Sequence, residues 1–215
     1  MGSTARRFTE ALALGAVACA AAAGTAAAGV STARYVRCDG HEGAMGDFEA
    51  LVTYAHEGEG TALVSVLLRN TTVAGRGGYI TGLALNGGAG VSGMSFVSCS
   101  SASFARLSGP VEAPPFGSFL AGASTGMGWL GGGDPAAGIG VGAGVTFLVS
   151  VTGTAAALGD LTAETVFGSG PQMAVRFRGG TPGDWSDKAL GCSAPAPGTV
   201  ALLLAVGMLS SRRRA

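Results

Sequence analysis

Glycine limits what this chain can become. It supplies 39 of the 215 residues, and no Gly-X-Y period runs through them, which excludes a collagen-like triple helix. The glycines gather instead at the boundaries of short β-rich runs. Phe48 to Tyr54 alternates, with Phe48, Ala50, Val52 and Tyr54 on one face and Glu49, Leu51 and Thr53 on the other. Thr61–Leu68, Tyr79–Leu85, Val91–Cys99 and Val145–Val151 have similar character, and Met173, Val175 and Phe177 alternate with Ala174 and Arg176. Turn chemistry separates these runs at His56–Gly60, Asn70–Thr72, Asn86–Gly88 and Gly168–Pro171. The first two runs predict a hairpin. Many short strands with glycine-rich turns predict a mainly β fold, an antiparallel β-sandwich with Gly-rich loops.

Two stretches interrupt that pattern. Thr154–Leu158 and Leu161–Phe167 favour a short helix or a turn of helix. The glycine-, proline- and serine-rich stretch from Gly109 to Gly144 contains Phe116, Phe119, Met127, Trp129 and Leu130. A structureless loop of that length is unusual in a compact domain. It is expected to fold over a sheet face with Trp129 as its anchor.

The two ends differ from the middle. Residues 1–28 carry Arg6 and Arg7, then an apolar stretch from Ala11 to Ala23, then Ala26-Ala27-Ala28. That is the layout of a secretory signal peptide cut near Ala28. Arg6-Arg7-Phe8 leaves Sec or twin-arginine export open. Ala16-Val17-Ala18-Cys19 lacks the leucine of a lipoprotein signal. At the other end, Pro195-Ala196-Pro197-Gly198 precedes the apolar run Val200–Leu209, and Arg212-Arg213-Arg214 follows. A short helix inserted there would be stopped by the arginines on the cytoplasmic side. From Thr199 to Ser211 such a helix spans about 20 Å. This is short against a hydrocarbon core of about 30 Å, so the run suits transient insertion.

The order Pro-x-Pro, apolar helix and terminal arginine cluster resembles the bacterial PEP-CTERM sorting signal, over Pro195 to Arg214. Ala196 stands where that family more often has Glu, so the chain is similar to a Pro-Ala-Pro variant. The resemblance implies an exported protein handled by an exosortase-type membrane processing enzyme. The strand order from Val52-Thr53-Tyr54 through Ile80-Thr81-Gly82 to Val175-Arg176-Phe177-Arg178-Gly179 and Ser186-Asp187-Lys188 is likewise similar to small β-sandwich ectodomains of that group. The expected organisation is a signal helix at 1–28, an ectodomain at 29–194 and a sorting or anchor helix at 195–215.

The formal charge of zero is a sum over unlike pieces. Setting aside Arg6, Arg7, Glu10 and Arg212–Arg214 leaves eight basic and twelve acidic residues, a net charge of −4. Lys188 is the single lysine. Such a domain is not expected to bind nucleic acid.

Candidate chemistry is sparse. Cys19 leaves with the signal, so Cys38, Cys99 and Cys192 remain. Cys38 and Cys192 flank the folded region, and because domain ends often lie close together they are the preferred disulfide. His41 with Asp39 and Glu42, and His56 with Glu57 and Glu59, read as solvated turns; no metal is expected. Gly122-Ala123-Ser124-Thr125-Gly126 matches Gly-x-Ser-x-Gly, but the sequence after it is poor for the helix that a nucleophile elbow requires. No catalytic residue and no cofactor is expected. The functional expectation is a structural or adhesive protein of the envelope or extracellular matrix, in contact with extracellular polysaccharide. The alternative is a carbohydrate-binding module using Trp129, Trp185 and Tyr79 as stacking platforms.

Overall fold

A computed structural model describes residues 29–41, 43 and 45–194, without the side chains of His41 and Glu57. The expected signal helix and C-terminal helix lie outside these residues. The described chain is mainly β. Ten strands form one antiparallel sheet in the order β5-β10-β3-β2-β1-β12-β11-β4-β9-β6. They are β1 (Val30–His41), β2 (Phe48–Gly58), β3 (Thr61–Asn70), β4 (Gly77–Leu85), β5 (Val91–Cys99), β6 (Ala105–Arg106), β9 (Ala121–Ser124), β10 (Gly144–Gly153), β11 (Met173–Gly180) and β12 (Trp185–Ala194). Strands β7 (Val111–Glu112) and β8 (Ser118–Phe119) pair separately. The sheet curls until its ends nearly meet, and Arg106 Nη1 donates to Ser95 Oγ at 2.9 Å between β6 and β5. Among the described residues no helix is long and apolar enough to cross a membrane.

The expected hairpin is β2–β3. Its tip is Glu59-Gly60, with φ of 50° and 81°, the two left-handed residues that a tight right-twisting hairpin needs. The alternation of β2 and β3 places Phe48, Ala50, Val52, Tyr54, Val64, Val66 and Leu68 inside the curl, all essentially inaccessible. Facing them are Met173, Val175 and Phe177 of β11 and Ile80, Leu83 and Leu85 of β4, in the same core.

One end of the curl is filled by the β10–β11 connection. It holds helix α1 (Ala155–Gly159), with Thr154 as N-cap accepting from the Ala157 N–H. The second stretch, Leu161–Phe167, forms turns rather than helix. Its Ala163, Val166 and Phe167 are committed to the core, and packing of these scattered apolar residues overrides local helix preference. Two core tyrosines bind this plug. Tyr35 Oη donates to the Ala163 and Glu164 carbonyls at 2.8 and 3.1 Å. Tyr54 Oη donates to the Leu158 carbonyl at 2.6 Å.

Buried polar groups tie strands whose hydrophobic contacts alone would not set register. The fully buried Asp187 of β12 accepts from Arg37 Nη1 at 2.9 Å, from the Gly46 N–H at 2.9 Å and from the Lys188 N–H at 2.8 Å. Arg37 also donates to the Gly46 carbonyl. Asn70, at the end of β3, donates to the Gly78 and Ile139 carbonyls, both at 2.9 Å. A disulfide joins Cys38 of β1 to Cys192 of β12.

Two outcomes follow. The Cys38–Cys192 bridge closes 154 residues, and a loop of that size restricts the unfolded chain strongly, so the double variant Cys38→Ser/Cys192→Ser should lose about 2–5 kcal/mol in urea unfolding. Burial pushes the Tyr35 and Tyr54 hydroxyls above their ordinary value. The folded state therefore holds protons that the unfolded chain releases above pH ~10. Stability should be whole below that pH and fall as pH rises past it, with phenolate absorbance from both residues appearing at higher pH in the folded protein than in the unfolded chain.

Candidate functional site

The most elaborate surface lies outside the curl, over β4 and β11. The outward residues there are small. Ala84 and Ala174 are inaccessible, and Gly82 leaves its space to the indole of Trp129, which lies 3.2 Å from where a Cβ would stand. The β4–β11 register shifts between Arg176 and Phe177, pairing them with Gly82 and Ile80. The extra residue is Thr81, whose Oγ1 donates to the Gly132 carbonyl at 2.7 Å. Gly132 itself has φ 81°, a conformation that disfavours a side chain. Arg176 of β11 is 8% exposed and its Nη1 donates to the Trp129 carbonyl at 2.8 Å. Arg178, two residues on, reaches the Gly131 carbonyl.

These donors hold the loop so that Trp129, 3% exposed, joins Val111, Ala113 and Phe119 in a second apolar cluster, with Leu190 of β12 packed against it. The expectation that the long loop folds over a sheet face on Trp129 matches this arrangement. Between Arg106–Glu112 and Met127–Gly131 a cleft of about 460 Å³ remains, with Trp129 in its lining. Trp129 Nε1 is buried and has no hydrogen-bond partner among the described residues. Its neighbours Met127 and Leu130 are 105% and 65% exposed. Sequence reasoning named Trp129 as an anchor but missed the cleft, because its walls come from segments some twenty residues apart. The available signal was Met127, Trp129 and Leu130 set among glycines.

The other candidates fall elsewhere. Trp129 is too buried to offer a stacking face, which corrects its expected role as a platform. Trp185 packs against the inner core near Phe177 and donates from Nε1 to the Arg76 carbonyl at 3.0 Å. Tyr79 precedes the inward Ile80, so it points outward, and it is 39% exposed. The three aromatics therefore do not share one platform. Ser124 lies at the end of β9, 1% exposed, and its Oγ accepts from the Gly126 N–H at 3.1 Å. A loop follows it rather than a helix. His56 Nε2 is buried without a partner among the described residues. The side chains of His41, Glu42 and Glu57 lie outside them, and no group of three or more metal-ligating side chains occurs within them. Cys99 is a free thiol on β5, and burial pushes its pKa up. The sorting residues Pro195, Ala196, Pro197, Gly198, Arg212, Arg213 and Arg214 are outside the described residues. Comparison with protein-family models, curated proteins and solved structures found no match.

Trp129→Ala should cost about 3–5 kcal/mol in urea unfolding, because the indole is the largest group between the loop and the sheet. A cost below about 0.5 kcal/mol, the range of ordinary surface changes, would show that the loop is held by other means.

Proposed function

We propose that the protein is an exported, non-enzymatic component of the cell envelope or extracellular matrix, sorted through Pro195–Arg214 by an exosortase-type enzyme. The observation that carries this reading is the order of the tail: Pro195 and Pro197, the apolar run Val200–Leu209, then Arg212–Arg214. Each part has a separate physical task. The prolines stiffen the exit from the domain, the apolar run enters the bilayer, and the arginines hold the terminus on the cytoplasmic side. The Cys38–Cys192 disulfide supports export, since such bonds persist in oxidising compartments.

The domain is read as a flattened β-sandwich whose two halves are turns of one curled sheet. Phe48 of β2 meeting Phe177 of β11 across the interior, with ring centroids 6.5 Å apart, supports this. A structural or adhesive role, with extracellular polysaccharide as a contact, fits a domain whose buried polar side chains, Asn70, Thr81, Arg176 and Asp187 among them, fasten loops and strand ends. The carbohydrate-module alternative loses its main support with the burial of Trp129.

Deleting Pro195–Ala215 should shift the protein from its normal envelope or matrix fraction into a different one on cell fractionation. Replacing Arg212–Arg214 with alanine should do the same with the apolar run intact. Unchanged distribution of both variants would contradict the sorting role.

A further inference from the structure

The outer face of β4 and β11 carries a second group of side chains beside the Trp129 loop. Tyr79 of β4 and Arg178 of β11 are directly opposed in the register. Both point outward, because their neighbours Ile80 and Phe177 face the core. The side chains of such a pair start about 5 Å apart, so one ligand can meet both. Tyr79 is 39% exposed, and Gly140 stands at the edge of its ring. Among the described residues, a Cβ at Gly140 would meet nothing within 4 Å except ring carbons of Tyr79, at 3.5 and 3.8 Å. Gly140 is not one of the left-handed glycines. Neither space nor backbone demands glycine there, and its effect is to leave the ring bare.

Arg178 supplies the charge. Its hydrogen bond to the Gly131 carbonyl is long, at 3.5 Å, and it pairs with no carboxylate among the described residues. The Arg176 guanidinium lies alongside, for Arg178 Nη1 and Arg176 Nη2 both stand close to where a Cβ of Gly132 would be. Two like charges brought together repel, and an anion laid over them relieves the repulsion. Arg176 is 8% exposed and bound to the Trp129 carbonyl, so it adds to the field while Arg178 makes the contact. Asp134, the acid of the adjoining loop, has Oδ1 committed to the Ala136 N–H at 2.9 Å. A planar guanidinium takes a carboxylate through two parallel N–H bonds. The aromatic ring beside it offers a flat apolar face, with a polar tip, to a sugar ring.

We propose that Tyr79 and Arg178 form a binding site for an acidic polysaccharide, the tyrosine ring stacking on a uronic acid residue and the guanidinium holding a carboxylate. This rests on the reading of extracellular polysaccharide as a contact of the domain, and gives that contact a place and a charge.

Isothermal titration calorimetry of the full chain in nonionic detergent tests this with three probes: a short oligogalacturonate, its methyl ester and an oligoglutamate. The oligogalacturonate should bind. The ester, which has rings without charge, and the oligoglutamate, which has charge without rings, should each bind several-fold more weakly. Arg178→Gln should weaken oligogalacturonate binding about ten-fold, the loss of one charge-assisted hydrogen bond. Tyr79→Ala should weaken it several-fold, and so should Gly140→Leu, which covers the ring without removing a site residue. Arg69→Gln, which removes an exposed cation on β3, should leave it unchanged. Near-ultraviolet circular dichroism checks that each variant keeps its fold. Absence of oligogalacturonate binding, or equal binding of oligoglutamate, overturns the proposal. A loss in Arg69→Gln equal to that in Arg178→Gln also overturns it, by assigning binding to charge anywhere on the surface. Binding of the methyl ester alone overturns the acidic class and leaves the polysaccharide contact standing. Localisation is not read in this assay, so its failure and a failure of the sorting role are separate results.

Discussion

The central constraint is that β4 and β11 are covered on both faces. Most sheets of this size leave their outer face to water and alternate apolar with polar residues. Here the inner face carries Ile80, Leu83, Leu85, Met173, Val175 and Phe177, and the outer face is narrowed to Gly82, Ala84 and Ala174. That narrowing lets Trp129 and Phe119 come down onto the sheet. Once they are down, the backbone of the loop has to be satisfied. The hydroxyl of Thr81 and the guanidinium of Arg176 meet that need at the Gly132 and Trp129 carbonyls. A buried arginine is costly unless it is hydrogen-bonded, so the loop and Arg176 depend on each other. The cleft lies between the loop so held and the segment Arg106–Glu112.

The rest of the curl is locked by polar groups placed at strand ends. Asp187 joins β12 to β1 and to the backbone at Gly46, Asn70 joins β3 to the start of β4, and the two core tyrosines hold the plug. These fasteners make the domain a stiff body whose first and last strands are neighbours joined by a disulfide.

Much of the strand pattern was legible in the residues, and the reasons for the remainder are specific. β2, β3, β4, β5, β10 and β11 announce themselves by β-branched runs between turn residues. β1 and β12 do not. Arg34, Arg37, Asp39, Asp187 and Lys188 interrupt them, and the pairings of Arg37 with Asp187 and of Arg34 with Glu49 accommodate charge in strands near the centre of the sheet. The two-residue strands between Ala105 and Phe119 carry too little pattern to detect. The single curled sheet could not be read either, since its order depends on β3 crossing to a distant β4 through the short segment 71–76 and on β10 crossing to β11 through the long segment 154–172. Trp129 was legible as an anchor because one indole among glycines has few other places to go. The cleft required the spatial meeting of two loop segments.

The proposed function requires that the chain be exported and lose residues 1–28. Intact mass of the protein recovered unreduced from its native envelope or matrix fraction tests that most directly. The account predicts a chain that begins close to Gly29, with Cys38 bonded to Cys192 and Cys99 as its one free thiol. A chain that retains residues 1–28, or that carries three free thiols after Gly29, would contradict it.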